Sequence, residues 1–207
     1  MASDKEKKQP KRKKPTKRTS AIVPEEPPST ETQPFRIVGI GASAGGLEAF
    51  EQFFSHMPID SGMGFVIVQH LDPARHSAMP EILTRLTKMP AHEAKHGMKV
   101  MPNAIYLIPP NKNMIIENGT LQLQEPSRIP GLKLPIDLFL RSLASDKGPD
   151  AIGIILSGTG SDGTLGLSAI KSESATVFVQ DPKTARYDGM PLSAINTGLV
   201  DFIVTPQ

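Results

Sequence analysis

The 207-residue chain contains no cysteine, which removes disulfides and thiolate chemistry and suits a reducing cytoplasm. It lacks any apolar run near the roughly 18 residues of a membrane span, and its lysine-rich amino terminus has no apolar h-region, so neither membrane insertion nor secretion is expected. No pair of histidines or acids has the spacing of a metal site, so no metal is expected either. What remains is enough chain for one ordinary domain with a real core, expected in the cytoplasm.

Charge is unevenly placed. Residues 1–34 carry nine Lys or Arg, all between Lys5 and Arg18, against five acids, whereas the rest has 14 basic and 16 acidic residues. The same segment has six prolines and almost no apolar residues. It cannot bury enough surface to offset its chain entropy and reads as a disordered basic, Pro-rich tail. Lys11-Arg-Lys-Lys14 could touch nucleic acid or an anionic surface, but a solvated tail accounts for it more simply, and no specific nucleic-acid partner is expected.

The folded unit is placed at residues 35–207. Apolar, β-rich runs occupy 35–40, 64–69, 104–108, 151–156, 175–179 and 198–204, and helical patterns occupy 46–56, 79–88, 135–147 and 163–172. Near-continuous apolar strands alternating with amphipathic helices predict an α/β fold: a doubly wound, mostly parallel sheet with helices on both faces. Residues 114–124 differ, reading as an antiparallel hairpin that turns at Asn118-Gly119 and decorates one edge.

In such sheets the ligand crevice lies beyond the carboxyl ends of the strands. The first run ends in Gly41-Ala-Ser43-Ala-Gly45, a G-x-S-x-G turn that presents a serine hydroxyl between a strand and the amino end of a helix. The second run leads into His70. The strand at 151–156 leads into Ser157-Gly-Thr-Gly-Ser-Asp162-Gly. Serine, histidine and aspartate at like ends of three strands can meet as nucleophile, general base and the acid that fixes the imidazole tautomer.

Each residue has a plainer explanation. Ser43 could be a helix N-cap, His70 a loop histidine, and Asp162 the cap of a helix starting at Gly163. Gly39-x-Gly41-x-x-x-Gly45 is also a variant dinucleotide-binding pattern, but that reading wants an acid or base closing the second strand, where Gln69-His70 stands and Asp72 comes late.

Four blocks in order carry a family resemblance: Gly41-Ala-Ser-Ala-Gly-Gly46, Val68-Gln-His-Leu-Asp-Pro73, Leu156-Ser-Gly-Thr-Gly-Ser-Asp-Gly163 and Gly189-Met-Pro-Leu-Ser-Ala-Ile-Asn196. The resemblance covers about residues 35 to 205, a stretch that resembles the catalytic domain of CheB-type protein-glutamate methylesterases. The resemblance implies hydrolysis of glutamate methyl esters on chemoreceptors, with glutamine deamidation in many members, and a triad in the order Ser43, His70, Asp162. It implies no cofactor. The donors around Ala44 and Gly45, at a helix amino end, are the oxyanion candidates. Two departures fall close to the triad: Ala44 stands where many members have threonine, and Thr159 where they have methionine, side chains that are candidates for holding the tetrahedral intermediate.

Many members carry a receiver domain ahead of the esterase, and here a basic tail precedes it. Leu107-Ile-Pro-Pro-Asn-Lys-Asn113 and Leu134-Pro-Ile-Asp-Leu-Phe139 are more similar to receiverless modules fused to methyltransferase and sensor domains. A methyltransferase domain, in this or another chain, is therefore an expected partner, and the end at Gln207 suits a fragment of such a fusion. The alternative functions are a catalytically silent module of this fold that binds a receptor or methyltransferase, an esterase acting on something other than a chemoreceptor, and a dinucleotide-binding domain. If residues 1–34 are a disordered leader, deleting them leaves the melting temperature unchanged within error; a large drop would show that the tail packs on the domain.

Overall fold

The first strand alternates bulky and minimal residues, and that alternation decides how helices sit on the sheet. The computed structural model describes residues 34–70, 79–126 and 134–207, together with Met1. The chain divides into Met1–Gln33 and Pro34–Gln207. Apart from Met1 and Pro34, the expected disordered tail, including Lys11–Lys14, lies outside the described residues, as does Asp72.

In chain order the elements are β1 (Ile37–Ala42), α1 (Gly46–His56), β2 (Gly64–Gln69), α2 (Met79–Leu86), β3 (Ala91–Glu93), β4 (Met98–Lys99), β5 (Ala104–Leu107), β6 (Asn113–Glu117), β7 (Thr120–Gln124), α3 (Pro135–Lys147), β8 (Ala151–Ile155), α4 (Thr164–Ser172), β9 (Thr176–Gln180), α5 (Gly189–Ile195) and β10 (Phe202–Val204). Seven strands form one sheet in the order β10-β9-β8-β1-β2-β5-β3, and every neighbouring pair is parallel. Winding runs outward from β1 through β2 and β5 on one side and through β8, β9 and β10 on the other. The order therefore switches between β1 and β8, where loops diverge and leave a crevice.

Val38, Ile40 and Ala42 of β1 pack with Phe50 and Phe54 of α1 and Leu83 of α2. Phe54 meets Phe65 of β2 edge-on at 5.6 Å between ring centroids. The opposite face of the sheet carries α3, α4 and α5 through Phe139, Leu140, Leu143, Leu167, Ile170 and Met190. Helices on both faces of a parallel sheet are the architecture that the alternating pattern predicts.

Gly39 and Gly41 point to the α3 face. A Cβ at Gly39 would lie 2.8 Å from Leu140 Cδ2, and one at Gly41 would lie 2.4 Å from Ile136 Cγ2. Two glycines of the nucleotide-like pattern are thus the seat on which α3 lies against β1.

The hairpin forms at the expected turn. Asn118 and Gly119 have φ of 50° and 70°, the left-handed pair that a two-residue type I′ turn requires. The hairpin does not extend the main sheet. With β4 it makes a separate three-stranded antiparallel sheet, β4-β7-β6, whose Met114, Ile116 and Leu121 join the core around α3. The Ser142 hydroxyl accepts from Ile116 N–H at 3.0 Å, and the Asp146 carboxylate accepts from Gly119 N–H at 3.0 Å. Three short elements carry no sequence signal: β3, β4 and α5. Two- and three-residue strands have no periodicity to read, and α5 is a seven-residue helix that begins with Gly189 and contains Pro191.

Helices α3 and α4 touch where Gly166 meets α3. A Cβ there would stand 2.5 Å from Leu140 Cβ and 3.3 Å from Asp137 Cα, atoms that cannot swing aside. Gly166→Ala is therefore expected to lower the unfolding free energy by about 1–3 kcal/mol in urea titration, the usual cost of overpacking. A loss within error would mean that the two helices have room to separate.

Candidate active site

Parallel pairing brings the first two candidates together. Ala42 of β1 is paired with Gln69 of β2, so the next residues outward, Ser43 and His70, leave adjacent strands at the same level, where strand spacing is about 4.8 Å. His70 Nδ1 lies 3.2 Å from Ser43 Oγ. Its other nitrogen, Nε2, lies 2.9 Å from Asp162 Oδ2. A neutral imidazole with its hydrogen on Nε2 donates to the carboxylate and leaves Nδ1 free to accept from the serine hydroxyl. The His70 side chain is 35% exposed, whereas that of Asp162 is 3% exposed.

The strand-to-helix turn aims Ser43 at the crevice. Ser43 N–H donates to Ser157 O, Gly46 N–H donates to Ser43 O, both at 3.0 Å, and Gln69 Nε2 donates to the same carbonyl at 3.3 Å. Gly45, not Ser43, occupies the N-cap of α1, in the left-handed region at φ 74°. The serine hydroxyl thus faces His70 and not its own helix. Ala44 and Gly45 line the same cleft, and among the described residues neither of their N–H groups has a backbone acceptor. Both stand just ahead of the first turn of α1, where a helix start favours negative charge. Thr159 is exposed on the loop after β8 and does not line the cleft.

Asp162 is held from behind by α3. Its Oδ2 accepts from Ile136 N–H at 3.0 Å and its Oδ1 from Asp137 N–H at 2.9 Å. These are N–H groups of the first turn of a helix, the natural receptors of a carboxylate. Asp162 therefore caps α3, not the helix that follows it.

Neighbours of the three residues complete the surroundings. Ser157, 1% exposed, ties three loops together: its N–H donates to Gln180 Oε1 at 2.9 Å, its hydroxyl donates to Ala44 O at 2.9 Å, and it accepts from Tyr187 N–H at 3.0 Å. Gly158 lies so close to Met190 that a Cβ would be 2.1 Å from its sulfur, and 3.1 Å from Ser43 Cβ. The cleft, about 770 Å3, is lined by Ser43, Ala44, Gly45, Leu47, His70, Arg186 and the acids Glu48 and Glu51 of α1. Arg186 arrives from the loop between β9 and α5, and nothing in its neighbourhood in the sequence marks it.

A doubly wound α/β domain with a Ser–His–Asp hydrogen-bond path at its topological switch defines a hydrolase-like class, and the chain order Ser, His, Asp separates it from α/β-hydrolases, whose acid precedes the histidine. The sequence pattern of the family described as CheB methylesterase matches residues 38–207. The chain belongs to the CheB methylesterase family. It is 34% identical over 170 residues to a protein-glutamate methylesterase/protein-glutamine glutaminase of Geobacter metallireducens, covering 80% of this chain and 47% of that protein. It is 43% identical over 123 residues to an uncharacterized 104.1 kDa protein of Rhodobacter capsulatus, covering 59% of this chain and 13% of that one. Among solved structures, the CheB methylesterase catalytic domain of Thermotoga maritima is similar with a TM-score of 0.77 at 28% identity, over 84% of this chain and 94% of that one. The chain thus spans about half the length of the first relative and a small part of the second.

Asp162→Ala would strand two buried N–H groups at the start of α3. The expected loss of unfolding free energy is about 2–4 kcal/mol, since each unsatisfied buried donor costs about 1–3 kcal/mol. Denaturant unfolding measures it, and an unchanged midpoint would mean that α3 does not need this cap.

Proposed function

We propose that the chain hydrolyses methyl esters of glutamate side chains on a chemoreceptor or related signalling protein, and that the same machinery deamidates glutamine. The observation that carries this reading is the unbroken path from Ser43 through His70 to Asp162, at 3.2 and 2.9 Å, opening into a cleft. His70 Nδ1 takes the proton of Ser43 as Oγ attacks the ester carbonyl. Asp162 holds the Nε2 hydrogen and stabilises the imidazolium. The oxyanion meets the N–H groups of Ala44 and Gly45. The tetrahedral intermediate collapses with transfer of the His70 proton to the departing methoxide, which leaves as methanol. Water, deprotonated by His70, then attacks the acyl-serine and releases the glutamate, and the proton returns to Ser43. With a glutamine side chain the leaving group is ammonia.

Residues 1–34 are proposed as a basic, disordered tail outside the catalytic unit, in a cytoplasmic protein. No helix among the described residues is long and apolar enough to cross a membrane. A methyltransferase domain in the same or another chain is the proposed partner. The small share of the Rhodobacter relative that matches supports a module set within longer proteins.

Methanol release from a methylated receptor tests the reading. Ser43→Ala is expected to lower the rate by about 10⁴-fold or more, the usual consequence of removing a nucleophile that acts as a unit with its base. A variant keeping a tenth of the rate would exclude Ser43, and a wild-type chain with no release above background would favour a silent binding module.

A further inference from the structure

Helices α3 and α4 both start without a local side-chain cap. Leu134 precedes α3, and Gly163, at φ 99°, precedes α4; neither has a side chain that caps its own helix, although the carbonyls accept from Leu138 and Leu167 N–H. The first N–H groups of a helix need acceptors from elsewhere. Each helix takes one from the aspartate of the other. Asp162, two residues before α4, receives Ile136 and Asp137 N–H of α3, and Asp137 of α3 receives Gly166 N–H of α4 on its Oδ1 at 2.7 Å. Asp137 is thus donor to Asp162 through its backbone and acceptor from α4 through its side chain.

The arrangement has a cost. Asp137 is 6% exposed, and burial pushes its carboxyl up from the ordinary carboxylate range; the Gly166 N–H, helped by those of Gly163 and Leu165, works against that shift, and the nearby Asp162 charge adds to it. A buried acid beside a second acid costs more desolvation than a neutral cap such as serine or asparagine. Its geometry, however, pins the first turn of α4 to the first turn of α3, and Asp162 leaves the chain immediately ahead of that turn.

We propose that Asp137 is a positioning residue: by capping α4 from α3 it holds Asp162 at hydrogen-bond distance from His70. This rests on the hydrolase reading above. Without the acceptor, Gly166 N–H must find another partner and the first turn of α4 shifts. A displacement of about 1 Å is enough to open the contact between Asp162 and His70, and misplacements of that size cost up to about 10²-fold in rate.

The test uses a phosphonofluoridate, which phosphonylates an activated serine with loss of fluoride and so reads the state of Ser43 without a receptor; Ser43→Ala is the unlabelled control. Asp137→Ala is expected to fold, to label at least tenfold more slowly than wild type, and to lose kcat for methanol release with KM within twofold. Asp137→Asn keeps an oxygen for Gly166 N–H and is expected to label within threefold of wild type. Labelling of Asp137→Ala within twofold of wild type overturns the proposal. So does a folded Asp137→Asn as slow as Asp137→Ala, which would assign the effect to charge and not to capping. Failure of Asp137→Ala to fold overturns it too, because the residue would then serve the fold at large. A wild-type chain that labels but releases no methanol refutes the ester substrate and leaves the comparison of variants intact.

Discussion

A carboxylate taken out of water must find donors for its oxygens, and the structure is built around the donors found by Asp162. Two come from the first turn of α3 and one from His70. For α3 to present that turn at the carboxyl edge of the sheet, it must lie close along β1, which only the bare backbone at Gly39 and Gly41 permits. For Asp162 to reach it, the loop after β8 must fold back over the switch between β8 and β1. Sheet order, glycine placement and helix packing are therefore conditions on one buried anion.

Much of this was legible in the sequence because strand ends are legible. Ser43 and His70 each follow an apolar run, and parallel pairing does the rest; Asp162 follows a third such run at the start of a glycine-rich loop. The boundaries of β1, β2, α1 and α3 lie within two residues of their sequence patterns, since each is long enough to show its period. The elements that escaped, β3, β4 and α5, are short or carry glycine and proline. Their form is set by neighbours and not by local preference.

What the sequence concealed was the origin of the environment. Asp137 looks like an acid in the first turn of an amphipathic helix, an ordinary place for one, and nothing local says that its side chain serves a different helix. Arg186 and Ser157 are likewise placed by loops that meet only in three dimensions. The Gly39–Gly41 spacing is ambiguous in the sequence for the opposite reason. A pattern shared with dinucleotide sites proved to be a packing surface, because the physical demand on glycine, close approach of another group, is the same whether that group is a pyrophosphate or a helix.

The two halves of the hydrogen-bond path are fixed by different means. Ser43 and His70 sit on adjacent strands in register, and their separation follows from the backbone ladder between β1 and β2, a feature that resists local change. The link from His70 to Asp162 crosses from β2 past β1 to the loop after β8, and depends on how α3 and α4 pack. A ladder has many bonds in parallel, whereas the starting turns of the helix pair are tied by hydrogen bonds to two aspartate side chains. Changes in the α3–α4 contact reach the proposed chemistry through the orientation of His70, while the serine and histidine remain side by side.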